Sequence, residues 1–67
     1  MLKVSEFIEK YHPWSIQFLY YLDGKYFKEE CSIYAEEQAL DMLLEKADFI
    51  VYSYSYFEDL HLLILSI

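Results

Sequence analysis

The feature that most constrains this fold is the dipeptide Asp23-Gly24, which lies between two runs of alternating apolar and polar residues. Asp-Gly is typical of a two-residue type I′ turn, whose twist matches that of the two antiparallel strands it joins. Such a turn sets Leu22 opposite Lys25 and Phe18 opposite Glu29. One face of the hairpin then collects Trp14, Ile16, Phe18, Tyr20, Leu22, Phe27, Cys31 and Ile33. The sequence therefore predicts a β-hairpin over residues 14–33 with one buried face.

A helix is predicted on each side of this hairpin. The first has the apolar stripe Val4, Phe7, Ile8 and Tyr11. It ends at His12-Pro13, because the residue before proline avoids the helical conformation. The second helix is predicted over residues 35–47, where no Gly or Pro interrupts the chain. Its predicted apolar stripe is Ala39, Leu40, Leu43, Leu44 and Ala47.

A second hairpin is predicted from Phe49–Tyr56 and Leu60–Ile67, with Glu58-Asp59 in its turn. Both of its faces are apolar, so the pattern leaves open which face is buried. The order α-β-β-α-β-β predicts an α+β fold. We expect one small domain over residues 1–67, with two helices and a four-stranded antiparallel sheet.

A chain of 67 residues has only a small core. A domain of this size hides about 60% of its extended surface and usually needs a staple or a partner. The single cysteine, Cys31, excludes an intrachain disulfide, and with His12 and His61 it makes a poor zinc set. The content of 57% hydrophobic and 21% aromatic residues argues against a disordered chain. We expect no metal and no cofactor.

The charge balance narrows the choice of partner. Twelve acidic residues face five lysines and no arginine, which gives a net charge of −7. Lys and Arg side chains dominate affinity for phosphates, so direct binding of DNA or RNA is not expected. An acidic surface can attract a basic protein, or it can serve solubility alone.

The sequence also predicts a cytoplasmic protein. Residues 1–6 reach a glutamate before any apolar run, unlike a secretory signal. The uncharged stretch at residues 62–67 is far shorter than the ~20 residues of a membrane helix. A lone thiol fits a reducing compartment.

Four acids on the second predicted helix are spaced to share one side: Glu37, Asp41, Glu45 and Asp48. Like charges four residues apart destabilise a helix by ~0.2–0.5 kcal/mol per pair. Only Lys46 is close enough in sequence to soften this field. Two interpretations stay open, a solvated face and a docking surface for a basic groove.

Three tyrosines alternate with serines in the second hairpin, so a strand would place all three rings on one face. They are either a cross-strand cluster packed on neighbouring leucines, or an interface, most simply with a second copy of the chain. The predicted self-association surface is Tyr52, Tyr54, Tyr56, Leu63 and Leu65.

Glu29 departs from the pattern of the first hairpin, because it falls on the apolar face opposite Phe18. A carboxylate there must find a partner, reach solvent or be moved by a bulge. The charges of Lys25, Lys28, Glu29 and Glu30 blunt strand addition, so this strand is predicted to be an edge.

Catalysis has little support in the sequence. The one glycine lies in a hairpin turn, which leaves no phosphate-binding loop. Cys31 resembles a small buried hydrophobic residue more than a nucleophile. We therefore expect a non-enzymatic, acidic protein-binding module.

The expected partner is a basic, nucleic-acid-binding site on a larger protein, which the module would inhibit. Small acidic proteins of phages and mobile elements that block host-defence nucleases offer an analogy of size and charge, not of residues. Mimicry of nucleic acid would require the acids to cluster. The alternative is a self-associating structural or regulatory domain whose acidity serves solubility only.

Overall fold

The chain alternates helices and hairpins in this computed structural model, which describes residues 2–33 and 37–67, with side chains 37–40 excepted. The described elements, in chain order, are α1 (Val4–Tyr11), β1 (Ser15–Leu22), β2 (Lys25–Ser32), α2 (Glu37–Lys46), β3 (Ser53–Phe57), a 3₁₀ turn (Glu58–Leu60) and β4 (Leu62–Ser66). The predicted α+β class, with two helices and four strands, is confirmed for these residues. The predicted start of the second helix at residues 35–36 lies outside them.

The strands form one sheet in the order β2-β1-β4-β3. The expectation of an antiparallel sheet is wrong, because β1 and β4 run parallel, with Ile16 beside Leu63 and Phe18 beside Leu65. Each hairpin is antiparallel within itself, as predicted. The 3₁₀ turn also adds an element to the predicted order. Local patterns predict hairpins, but the direction in which two hairpins meet depends on the path of α2 between them.

The first hairpin has the predicted turn and register. Asp23 and Gly24 both have positive φ, 52° and 78°, as a type I′ turn requires. Leu22 pairs with Lys25, and Phe18 pairs with Glu29. β2 lies at the edge of the sheet, which confirms the prediction made from its charges.

Both helices cover the same face of the sheet. Ile16 and Phe18 of β1 and Leu63 and Leu65 of β4 are fully buried there. The helical residues that pack on them are Val4, Phe7, Ile8, Tyr11, Met42 and Leu43. No described helix covers the opposite face, so residues 2–33 and 37–67 form two layers, one of helices and one of strands.

Backbone hydrogen bonds join the start of α1 to the segment that follows α2. The N–H of Val4 donates to the carbonyl of Phe49 at 3.0 Å, and that of Ser5 donates to Ala47 at 3.1 Å. The N–H of Val51 donates to Leu2 at 3.0 Å. The bonds from Val4 and Ser5 satisfy donors that a helix start leaves free, and the three bonds together hold the start of α1 beside the segment that follows α2.

Glu29 finds its partner in Lys46, the last residue of α2. The two side chains form an ion pair at 3.8 Å, and the Tyr20 hydroxyl donates a hydrogen bond to the same carboxylate. The Lys46 side chain is only 7% exposed, and its ammonium lies 5.2 Å from the centre of the Tyr20 ring. Of the three outcomes expected for Glu29, the structure shows a partner and partial contact with solvent, since the side chain is 31% exposed.

We expect Glu29→Gln to lower the free energy of unfolding by about 2 kcal/mol, because it leaves the buried Lys46 ammonium without a counter-ion. Glu29 is 31% exposed, so the loss stays below that of a fully buried pair. The double variant Glu29→Gln/Lys46→Met should recover stability to within about 1 kcal/mol of the native chain. Urea unfolding of the four proteins of this cycle measures both effects; additive losses would contradict the pairing.

Candidate binding surface

The acidic face of α2 comprises the positions Glu37, Asp41 and Glu45, together with Asp48 just beyond the helix. Asp41, Glu45 and Asp48 are exposed. The Asp48 side chain is 91% exposed and lies 3.8 Å from the Lys3 ammonium. A surface pair of this kind contributes little and leaves the carboxylate open to solvent.

Lys46 does not soften this acidic face, contrary to the expectation from sequence. Its side chain turns inward to Glu29 and the rings of Phe18, Tyr20 and Phe49. The chain has no arginine, and Lys46 is buried. The described side chains of α2 therefore include no exposed cation. Lys46 therefore does not offset the charges of Asp41 and Glu45, whereas the Lys3 ammonium lies beside Asp48.

Leu44 lies on the opposite side of α2 from the one that the sequence pattern predicts. It is 71% exposed, although the predicted apolar stripe includes it. The side of α2 that packs on the core carries Met42, Leu43 and Lys46 instead. Leu44 follows Asp41 by three residues, so the two side chains are neighbours on the helix surface. An exposed leucine thus lies within the acidic face.

The predicted self-association surface is only partly exposed. Leu63 and Leu65 are fully buried, and Tyr56 is half-buried beneath α1. The Tyr11 ring lies 4.7 Å from that of Tyr56, and α1 covers this face of the hairpin. The alternating pattern leaves the two apolar faces equivalent, and the structure buries the two leucines of this set.

Two of the predicted tyrosines keep solvent contact. Tyr52 precedes β3 and is 75% exposed. Tyr54 is 49% exposed although the Phe7 ring packs 4.8 Å from it. The hydrogen bond between the Tyr11 and Tyr54 hydroxyls, 3.3 Å long, raises the pKa of the Tyr54 phenol, and so does the charge that ionised Tyr11 would carry.

The opposite face of the sheet is the open one. It carries Leu19 and Tyr21 from β1 and Ile64 from β4, with the Tyr26 ring 5.3 Å from that of Tyr21. Its charged strand residues are Lys28 and Glu30, so the two charges cancel. The excess of negative charge therefore belongs to the helical layer and the turns.

Cys31 is a buried free thiol. Burial raises the pKa of this thiol above its ordinary value of 9.0, the Glu29 carboxylate adds to the effect and Lys46 opposes it. The thiol is therefore neutral at pH 7, unlike an activated nucleophile.

His61 has a structural role at the start of β4. Its carbonyl accepts hydrogen bonds from Trp14 at 2.8 Å and from Ser15 at 3.2 Å. Its ring stacks on Trp14 with centroids 3.7 Å apart. Within residues 2–33 and 37–67, no three His, Cys, Asp or Glu side chains form a group that could hold a metal ion.

Among the described residues, no helix has the length and apolar character that crossing a bilayer requires. In the comparisons with known proteins, the chain matches no family model, no curated protein and no solved structure. The functional argument therefore depends on the surfaces described above.

We expect Cys31 to react with a small disulfide reagent about tenfold or more slowly in the folded than in the unfolded protein, because thiolate is scarce and access is poor. The rate of mixed-disulfide formation at pH 8, measured for the folded and for the unfolded protein, gives the ratio of the two reactivities. Ser32→Cys in a Cys31→Ala background is the matched control, since Ser32 is exposed on the same strand. Equal rates for the two thiols would contradict the buried placement.

Proposed function

We propose that this protein is a non-enzymatic binding module that docks the acidic face of α2 onto a basic surface of a larger protein. The observation that carries the proposal is the exposed Leu44 among carboxylates on a helix whose one described lysine is buried. Exposing an isolated leucine is ordinary for a protein surface. The position of Leu44 among several carboxylates favours the interpretation of this face as a docking surface over that of a merely solvated face.

The two kinds of side chain have different roles in this interface. Carboxylates at Asp41 and Glu45 steer a cationic partner toward the helix and set its orientation. Leu44 supplies apolar contact, which carries affinity once water is excluded. The partner surface then consists of an apolar depression with a basic rim.

A nucleic-acid-binding site is the kind of basic surface that we propose as the target. An acidic domain bound at such a site blocks nucleic-acid binding, because its carboxylates pair with the Lys and Arg side chains that would otherwise contact phosphates. This makes the protein an inhibitor of a nuclease or a similar nucleic-acid-handling complex, as small anti-defence proteins are.

Docking explains the surface better than close imitation of nucleic acid does. The acidic positions of α2 recur every four residues, which is one charge per ~6 Å of helix. A single nucleic-acid strand carries one charge per ~3.4 Å. The helix therefore has about half the linear charge density of one strand, and the leucine has no counterpart in a phosphate backbone.

Affinity capture from the native host tests the proposal against the alternative of a self-associating domain whose acidity serves solubility. A basic partner that is released both by raised salt and by excess DNA duplex supports an occupied nucleic-acid site. Recovery of the protein alone favours the alternative.

Charge reversal should separate docking from folding. Changing Glu37, Asp41 and Glu45 to lysine inverts the charge but keeps like charges at the same four-residue spacing, so the stability of the helix should change little. Capture of the basic partner should fall by more than about tenfold, because the steering charges are inverted. Glu58→Lys/Asp59→Lys, in the 3₁₀ turn, is the control and should retain capture. A folded triple variant that binds normally would refute the acidic face.

Leu44→Ala should weaken partner binding by about tenfold without a change in net charge. Its thermal unfolding should match that of the native chain, because the side chain is 71% exposed. Leu60→Ala, at a position 65% exposed outside α2, is the matched control and should bind normally. Titration calorimetry with the captured partner measures the difference. Equal affinities of the two variants would exclude Leu44 as an anchor.

A further inference from the structure

The two edges of the sheet differ in how they are protected. The edge strand β2 carries the charged residues Lys25, Lys28, Glu29 and Glu30. The other edge strand, β3, has the sequence Ser-Tyr-Ser-Tyr-Phe, with no charge and no proline. Edge strands of native proteins usually carry charged residues or proline, because their free N–H and C=O groups can otherwise pair with another strand. An edge without them is a candidate pairing site.

The outer side of β3 is accessible in the described part of the chain. Its one strand neighbour is β4, and the bridge between Lys3 and Ile50 ends before β3 begins. Tyr54 stays 49% exposed although Phe7 and Tyr11 pack on it, so α1 does not extend over the whole edge. Ser53 and Ser55 are exposed as well.

We propose that β3 pairs with β3 of a second copy of this chain, antiparallel about a two-fold axis at Ser55. The strand is self-complementary in this register. Ser55 meets its own copy, Tyr54 meets Tyr56 of the second copy, and Ser53 meets Phe57 of the second copy. Aromatic side chains directly opposite one another stabilise antiparallel pairs. The inference is independent of the acidic face of α2.

Electrostatics favours this edge for two molecules that each carry a net charge of −7. β3 itself is uncharged, and the nearest acids after it are Glu58 and Asp59. Antiparallel pairing sends the two copies of Glu58 to opposite ends, about 20 Å apart at ~3.3 Å per residue. That separation exceeds two Debye lengths at physiological salt, where one is ~8 Å. At the β2 edge, by contrast, charged side chains would meet directly.

The symmetry sets the shape of the assembly. A two-fold axis that pairs antiparallel strands is perpendicular to the sheet, so the helices of both copies lie on one side. The four-stranded sheets become one sheet of eight strands. The exposed sides of Tyr54 are covered, and the two open faces become continuous.

The contact is short, which sets the expected affinity. Five paired residues extend over about 17 Å, so the interface is smaller than the ~1,200 Å² of stable complexes. We therefore expect a reversible dimer with a dissociation constant of about 10 μM to 1 mM.

Cysteine cross-linking tests the register. Residues directly opposite in an antiparallel pair have Cα atoms about 4.5–5.5 Å apart, within the range of a disulfide. Ser55→Cys should form a covalent dimer about tenfold or more faster than Ser53→Cys, whose two copies lie about 13 Å apart. Both serines are exposed on the same strand, and the native chain with its buried Cys31 gives the background. Equal rates for the two variants would overturn the register.

Sedimentation over a range of concentrations up to about 1 mM tests the dimer itself. The native chain should show a monomer–dimer equilibrium, and Ser55→Lys should be monomeric because it places two like charges on the axis. Ser32→Lys, on the charged edge strand β2, is the matched control and should dimerise normally. A strictly monomeric native chain, or equal loss in both variants, would overturn the proposal. The triple variant with lysine at positions 37, 41 and 45 should still dimerise, because the β3 contact does not involve the acidic face of α2. That result would support the dimer even if the proposed docking function failed.

Discussion

The ion pair between Lys46 and Glu29 is the interaction on which the surface of this protein depends. It joins the last residue of α2 to the edge strand β2, and it is enclosed by the rings of Phe18, Tyr20 and Phe49. A helix has one rotation that brings a given side chain inward. By turning Lys46 inward, the pair turns Asp41 and Leu44 outward. A structural contact thereby determines the candidate binding surface.

Two short helices can cover only one face of a four-stranded sheet. In this protein they cover the face that holds Phe18 and Leu65, and the opposite face stays open. The uneven layering also separates the charges. The open face has one lysine and one glutamate, whereas the described side chains of α2 put their carboxylates outside and their lysine inside. An exposed acidic helix face and a nearly neutral sheet face thus coexist on a domain of 67 residues.

The edges of the sheet add a second asymmetry. Charged residues protect β2, while β3 has a self-complementary, uncharged sequence. A contact through β3 leaves the acidic face of α2 free, because that face and the β3 edge belong to different elements. The proposed dimer would therefore present two acidic faces on the same side of one sheet, which raises the effective concentration of the second contact when a partner offers two sites.

The sequence by itself determined the local structure. Asp23-Gly24 determined the turn and register of the first hairpin, the charges of β2 marked an edge, and Glu29 signalled the need for a partner. These features depend on backbone geometry and on desolvation within a few residues. Tertiary structure decided that β1 and β4 run parallel, that Leu63 and Leu65 face inward, and that Lys46 rather than Leu44 is buried. Each of these outcomes is a choice between two locally acceptable arrangements, and only contacts between elements distant in sequence distinguish them.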